Sequence, residues 1–359
     1  MRFFETVTAA LFLTGAFAAP FRHPHHLHHK RDAPAVTSQV VAYTTVVVGG
    51  SSSGSPISSS STVTPTSSSA PTGPSSSSSS YASSSSTTSS SAAAPSSTGG
   101  TSSFTDGVYD CSSFPSDQEG IVALDYLGLG GYTGIQIGNG AGSSCTEGAY
   151  CSYACKPGMM KTQWPSEQPS DGETRGGLVC KNGKLHRTNT DKENLCEQGL
   201  GSASVENKLG QGVAICQTDY PGSENMVIPT FVEGGNSSPL TVTDNNSYFH
   251  WRGMGTSAQF YVNKAGYSAE KGCQWGTQND DFGNWAPLVF GAGMTDGITW
   301  LSIFQNPLTT QKANYNVKIV GENGSNVSGD CTFENGSFTS GSNGCTVGVT
   351  SGSAKFVFY

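Results

Sequence analysis

The segment Cys145-Thr-Glu-Gly-Ala-Tyr-Cys151-Ser-Tyr-Ala-Cys155-Lys-Pro-Gly-Met-Met-Lys-Thr-Gln163-Trp164-Pro165-Ser-Glu167-Gln-Pro169-Ser-Asp171-Gly-Glu173-Thr-Arg175-Gly-Gly-Leu-Val-Cys180 places four cysteines at gaps of five, three and 24 residues. All ten cysteines of the chain lie beyond residue 103. An even count behind a secretory leader predicts up to five disulfides and excludes a free thiol nucleophile. Proline and glycine break the interval between the third and fourth cysteines, so it reads as a loop carrying one tryptophan and three carboxylates.

Composition divides the chain outward from that segment. Arg2 followed by the apolar run Val7–Phe17 and the small-residue site Ala16-Phe17-Ala18 predicts a signal peptide over residues 1–19. The run is too short for a membrane span, which needs about 20 apolar residues. Residues 20–31 hold five of the seven histidines and end in Lys30-Arg31, which reads as a removed propeptide. Residues 32–103 read as a stalk. In 51–103, 36 of 53 residues are Ser or Thr and none is charged. Such a segment has too little apolar surface to offset its ordering entropy, and its composition is that of an O-glycosylated stalk. The remaining 104–359 form a cysteine-rich domain. All but four of the 18 basic and all but two of the 26 acidic residues fall there, so its net charge is about −10. Nucleic acid is a poor partner for that field, whereas a neutral polymer is compatible with it. No apolar tail closes the chain, so no membrane anchor is expected.

The expected fold is mainly β with minor α: a loop-rich, disulfide-stapled first half and a β-sandwich from about Gly235. Ala258–Val262, Trp300–Phe304, Tyr315–Ile319 and Ala354–Phe358 are short, aromatic and β-branched between Gly, Asn and Ser clusters. Asn182-Gly183 and Asn335-Gly336 predict two-residue hairpin turns, and Cys331 with Cys345 flank the second. Short helices are expected over Glu119–Leu127 and Lys192–Cys196. Trp300 reads as core.

The cysteine spacing resembles the signature of the fungal SUN family, cell-wall proteins described as β-glucosidase-like or β-(1,3)-glucanase-like. The resemblance continues through Thr218-Asp219-Tyr220-Pro221-Gly222-Ser223-Glu224-Asn225-Met226, Gly272-Cys273-Gln-Trp275-Gly276, Gly283-Asn284-Trp285-Ala286-Pro287 and Ser353-Ala-Lys-Phe-Val-Phe-Tyr359, and covers residues 104–359. It implies a secreted glycosidase acting on wall β-glucan in remodelling, septation and cell separation. The rival reading is a non-catalytic glucan-binding wall protein. A monomer is expected.

Glycoside cleavage commonly uses two carboxyl groups, one as acid and one as nucleophile or base. Candidates lie on two Gly/Pro loops: Glu167 and Asp171 beside Trp164, and Asp219 and Glu224 beside Tyr220. Glu167 or Glu224 is expected as the acid, and Asp171 or Asp219 as its partner; Asp280 and Asp281 are next in line. Trp164, Trp285 and Tyr220 are expected to offer ring faces to sugars. Five Asn-x-Ser sequons, at Asn236, Asn245, Asn323, Asn326 and Asn335, must face solvent if occupied, so their loops are not expected to line a cleft. No C-x-x-C pair, no G-x-S-x-G elbow on a strand-to-helix turn and no phosphate loop with a following Lys is found, and neither a metal nor a cofactor is expected.

Overall fold

A computed structural model describes residues 103–138, 140–170, 173–218 and 227–359. The signal peptide, the His-rich segment and all but the last residue of the predicted stalk lie outside the described residues. The described part is β-rich, as the sequence predicts.

Two sheets carry the second half. One runs in the order Ser237–Pro239, Ala203–Asn207, Ala354–Phe358, Val317–Gly321, Thr332–Glu334, Ser337–Phe338. The other runs Ile228–Val232, Val213–Thr218, Ala258–Val262, Leu288–Thr295, Ile298–Gln305, Gly344–Ser351, Asn326–Ser328, with Thr243–Asp244 added beside Leu288–Thr295. Alternation explains the layering. Val205, Val317, Ile319, Phe356 and Phe358 from the first sheet and Ile215, Phe260, Phe290, Leu301 and Ile303 from the second share one buried apolar cluster. The Phe290 and Phe356 rings stack across the layers at 4.1 Å and 12°.

The sandwich starts earlier than Gly235. Ala203–Asn207 pairs in parallel with the last strand, Ala354–Phe358, which closes the sheet over about 150 residues of sequence. Helix content is smaller and elsewhere. Glu119–Leu127 yields the strand Ile121–Val122 and a 3₁₀ turn at Asp125–Leu127, because Gly120 takes φ +80° and breaks the run. Lys192–Cys196 enters the strand Cys196–Gln198. The one α-helix among the described residues is the single turn Ala269–Gly272, capped by Ser268, whose side chain accepts from Lys271 N–H. Trp300 is half-buried, because its neighbours Thr299 and Leu301 take the inward positions.

The first half folds around a five-stranded antiparallel sheet, Gly140–Ala141, Gly134–Ile137, Tyr150–Ser152, Leu178–Lys181, Lys184–His186. Both Asn-Gly turns form as expected. Asn182 and Gly183 take φ 52° and 72°, and Asn335 and Gly336 take 50° and 80°. Among the described residues every cysteine is paired: Cys111–Cys180, Cys145–Cys151, Cys155–Cys196, Cys216–Cys273 and Cys331–Cys345. The halves join through backbone and side chain. Cys155 N–H donates to Val227 O, Leu200 N–H to Val242 O, and Thr241 Oγ1 to Met159 O at 2.7 Å.

Candidate active site

A cleft of about 420 Å³ opens where the first half meets the sandwich. Its walls come from Met159–Lys161, from the loop that follows, from Cys196–Gln198, and from the 244–250 segment. Met159–Lys161 pairs antiparallel with Cys196–Gln198, and the Cys155–Cys196 bridge pins the pair. Strand alternation turns Met160 and its partner Glu197 toward the cleft and sends Lys161 inward.

Lys161 is 1% exposed. Its Nζ donates to Ser152 Oγ at 2.6 Å and lies 4.4 Å from the centre of the Trp164 ring. The turn to Trp164 is held by Gln163, whose buried Oε1 accepts from Thr188 N–H and Asn189 N–H. Tyr153 braces the same layer by donating to Leu195 O at 2.6 Å. Burial holds its pKa well above the ordinary value, so it stays a neutral donor.

Trp164 lines the cleft but is not a free plane, since only 9% of it is exposed. Phe249, 85 residues later, stacks on it at 4.6 Å and 16°. Tyr248 meets it edge-on at 6.3 Å. Trp164 Nε1 donates to Lys161 O and Tyr248 Oη, and Tyr248 Oη donates to Lys161 O. The cleft therefore presents a fixed aromatic edge rather than a swinging ring.

Glu167 is exposed, next to the cleft-lining Ser166. Gln168 latches its loop, donating to Pro165 O and Arg175 O and accepting from Arg175 N–H. Asp171, Asp219, Tyr220 and Glu224 lie outside the described residues. Trp285 is half-buried in the 3₁₀ turn Gly283–Trp285 and is not among the residues lining this cleft. Asp280 caps a turn, accepting from Thr277 N–H and Oγ1. Burial alone would raise the Asp281 pKa. Hydrogen bonds and charge from Lys264, with the Tyr267 hydroxyl, outweigh burial and hold it below the ordinary carboxylate value. That favours an ionised partner, not a proton donor.

The carboxylates that do line the cleft are Glu197 and Asp244. Glu197 pairs with Lys192 at 2.8 Å. Asp244 accepts from Asn246 N–H and Ser247 Oγ and so builds its own turn. Neither stood out in the sequence; the aromatic run Tyr248-Phe-His-Trp251 behind the Asp244-Asn-Asn-Ser turn is the signal that marks this wall. This wall also carries the Asn245 sequon, contrary to the expectation that sequon loops avoid the cleft. Among the described residues no cluster of His, Cys, Asp and Glu could hold a metal ion, and no helix is long and apolar enough to cross a membrane.

The profile described as "Beta-glucosidase (SUN family)" matches residues 106–347. "Probable secreted beta-glucosidase PSU1" of Schizosaccharomyces pombe is 62% identical over 417 residues, covering 100% of both chains. "Probable secreted beta-glucosidase UTH1" of Saccharomyces cerevisiae is 59% identical over 262 residues, 72% of each chain. "Secreted beta-glucosidase SUN41" of Candida albicans is 58% identical over 261 residues, 72% of this chain and 62% of the relative. No solved structure matches. The matched region begins just before the first disulfide and ends just beyond the last, so it is the whole cross-linked fold that is shared, and the chain belongs to the SUN family.

Proposed function

We propose that this protein is a secreted glycosidase of the fungal cell wall, acting on β-(1,3)-glucan during wall remodelling, septation and cell separation. The names of its relatives, which describe secreted beta-glucosidases, support secretion and glycosidase chemistry. The observation that carries the reading to a site is the cleft. It joins a buried Trp164–Phe249 stack to the carboxylates Glu197 and Asp244 and to the Glu167 loop. A concave, partly apolar site with a few placed polar groups suits a sugar ring, whose C–H face packs on aromatics while its hydroxyls seek acceptors. Glu167 or Glu224 serves as the acid that protonates the leaving oxygen, and Asp171 or Asp219 as the nucleophile or the base that activates water. Tyr220 and Trp285 are the further aromatic candidates for contact with a sugar face. The Ser/Thr-rich stalk holds a monomeric domain away from its point of attachment.

A second reading, glucan binding without cleavage, draws on one observation. Both carboxylates at the cleft are already committed, Glu197 to Lys192 and Asp244 to its turn.

One assay separates the two. The full chain is incubated with laminarin-type oligosaccharides and the products are sized. Shortened products are expected. Glu167→Gln, Asp171→Asn, Asp219→Asn and Glu224→Gln remove proton transfer while keeping shape. The two that carry the reaction should lose about 10²- to 10⁴-fold in rate. Should all four variants cleave at the parent rate, Glu197 and Asp244 become the catalytic candidates. Retention on insoluble glucan with no cleavage by the parent leaves the binding reading.

A further inference from the structure

The five sequons are not equivalent in the fold. Transfer of an N-linked glycan modifies the Asn side-chain nitrogen, which must reach solvent in the folded product. Asn236, Asn323, Asn326 and Asn335 are exposed. Their side-chain amides make no hydrogen bond to the described residues. Asn245 differs on every count. It is half-buried, its Nδ2 donates to Thr295 Oγ1 at 3.1 Å, and its backbone N–H donates to Met294 O. Two glycines close on it. A Cβ on Gly293 would lie 2.8 Å from Asn245 Oδ1 and 3.4 Å from Nδ2, and a Cβ on Gly255 would lie 2.3 Å from Asn245 O. The Asn245 amide packs into the space left by Gly293 and its backbone carbonyl into the space left by Gly255, so the residue is gripped from both sides and a glycan on Nδ2 would have to break that packing and the Thr295 hydrogen bond.

We propose that N-linked glycans occupy Asn236, Asn335 and at least one of Asn323 and Asn326, and that Asn245 stays bare in the folded, secreted protein. This rests on the secretion reading above. The division has a purpose in the architecture. Asn236 precedes the outermost strand Ser237–Pro239, and Asn335 turns into the outermost strand Ser337–Phe338 at the other side of the same sheet. Asn326 opens Asn326–Ser328, an outermost strand of the second sheet, and Asn323 is in the turn before it. Three of the four sandwich edges thus carry a sequon. The fourth, Ile228–Val232, begins against the first half, where Cys155 N–H donates to Val227 O. Glycans on those strands mask edges that would otherwise pair with other chains. The single sequon beside the cleft, between Asp244 and Ser247, is the one whose packing refuses a glycan.

The test uses the full chain recovered from the medium of a secreting yeast. Enzymatic glycan release in heavy-oxygen water marks each occupied Asn as labelled Asp, and peptide mapping locates the label. Label at Asn236, Asn335 and one or both of Asn323 and Asn326, with none at Asn245, is expected. Label at Asn245 in secreted protein that still binds glucan overturns the inference, as does unlabelled Asn236 or Asn335. Absence of the chain from the medium is read separately; it overturns the secretion reading and this inference with it. Replacing Asn236, Asn323, Asn326 and Asn335 together by Gln should cost the monomer peak in gel filtration, and an unchanged monomer overturns the edge-masking role. Ser247→Thr strengthens the Asn245 sequon. The expected outcome is secreted chain with Asn245 still bare, and glycosylated, folded product would overturn the packing argument.

Discussion

The two halves of the cross-linked fold hold themselves together differently. In the sandwich, 27 buried apolar residues form one cluster, strands reach eight residues, and two disulfides suffice. In the first half the main cluster has 18 buried members, six of them half-cystines, and no strand exceeds four residues up to Gln198. A small core gains less from burial, so cross-links that restrict the unfolded chain take over. Polar clamps do the rest, such as Gln163 on the backbone at 188–189 and the Asp106 carboxylate on Arg187. A half that leans less on apolar burial can give aromatic and charged side chains to a cleft. The sandwich supplies the rigid platform that holds the facing wall.

The sharpest test of that contrast is a deletion in the sandwich core. Phe356→Ala removes the ring stacked on Phe290 and should cost about 3 to 5 kcal/mol, read as a drop in one cooperative thermal transition. If only the last strand loosens while the transition stays put, the cluster is not one cooperative core. Next in size is the double change Cys155→Ser and Cys196→Ser, which opens a loop of separation 41 and should cost about 4 kcal/mol. Here the loss should be local: faster amide exchange across Met159–Lys161 and Cys196–Gln198 and weaker retention on glucan, with sandwich amides still protected. Equal exchange gains in both halves would erase the distinction.

The smallest effect concerns pH. Burial alone would raise the Asp106 pKa, but hydrogen bonds and charge from Arg187 outweigh it and hold it below the ordinary value. A depressed folded pKa stabilises above the unfolded value of about 3.9, and that contribution fades as pH falls below about 4 through the folded value. With both side chains partly exposed, the pair is worth about 1 kcal/mol after screening. Asp106→Asn should remove that increment at pH 7 and flatten the acid limb of a stability profile. An acid limb identical to the parent's would place the pair's energy at zero.

Much of the fold was legible in single stretches. Alternation in Ala258–Val262 and Ala354–Phe358 marked strands, and Asn-Gly at 182–183 and 335–336 marked turns whose positive φ few residues accept. The helices expected at Glu119–Leu127 and Lys192–Cys196 failed because glycine and cross-strand pairing overrode weak local preference. Ala203–Asn207 was missed because its partner is the C-terminal strand. The candidate site was legible only at Trp164 and the Glu167 loop. Glu197, Asp244 and Phe249 reach the cleft from strands and turns remote in sequence.

By itself the sequence determined the family, through cysteine gaps and ordered motifs, the strand-rich class, through alternation, and the hairpins, through turn chemistry. Each is a local property of neighbouring residues. Only the tertiary structure decided that Trp164 is covered by Phe249 rather than open to a sugar, which cysteines pair across the first half, and which sequon is closed by two glycines. Burial and accessibility depend on contacts between residues distant in sequence, and no local pattern encodes which distant surface will arrive.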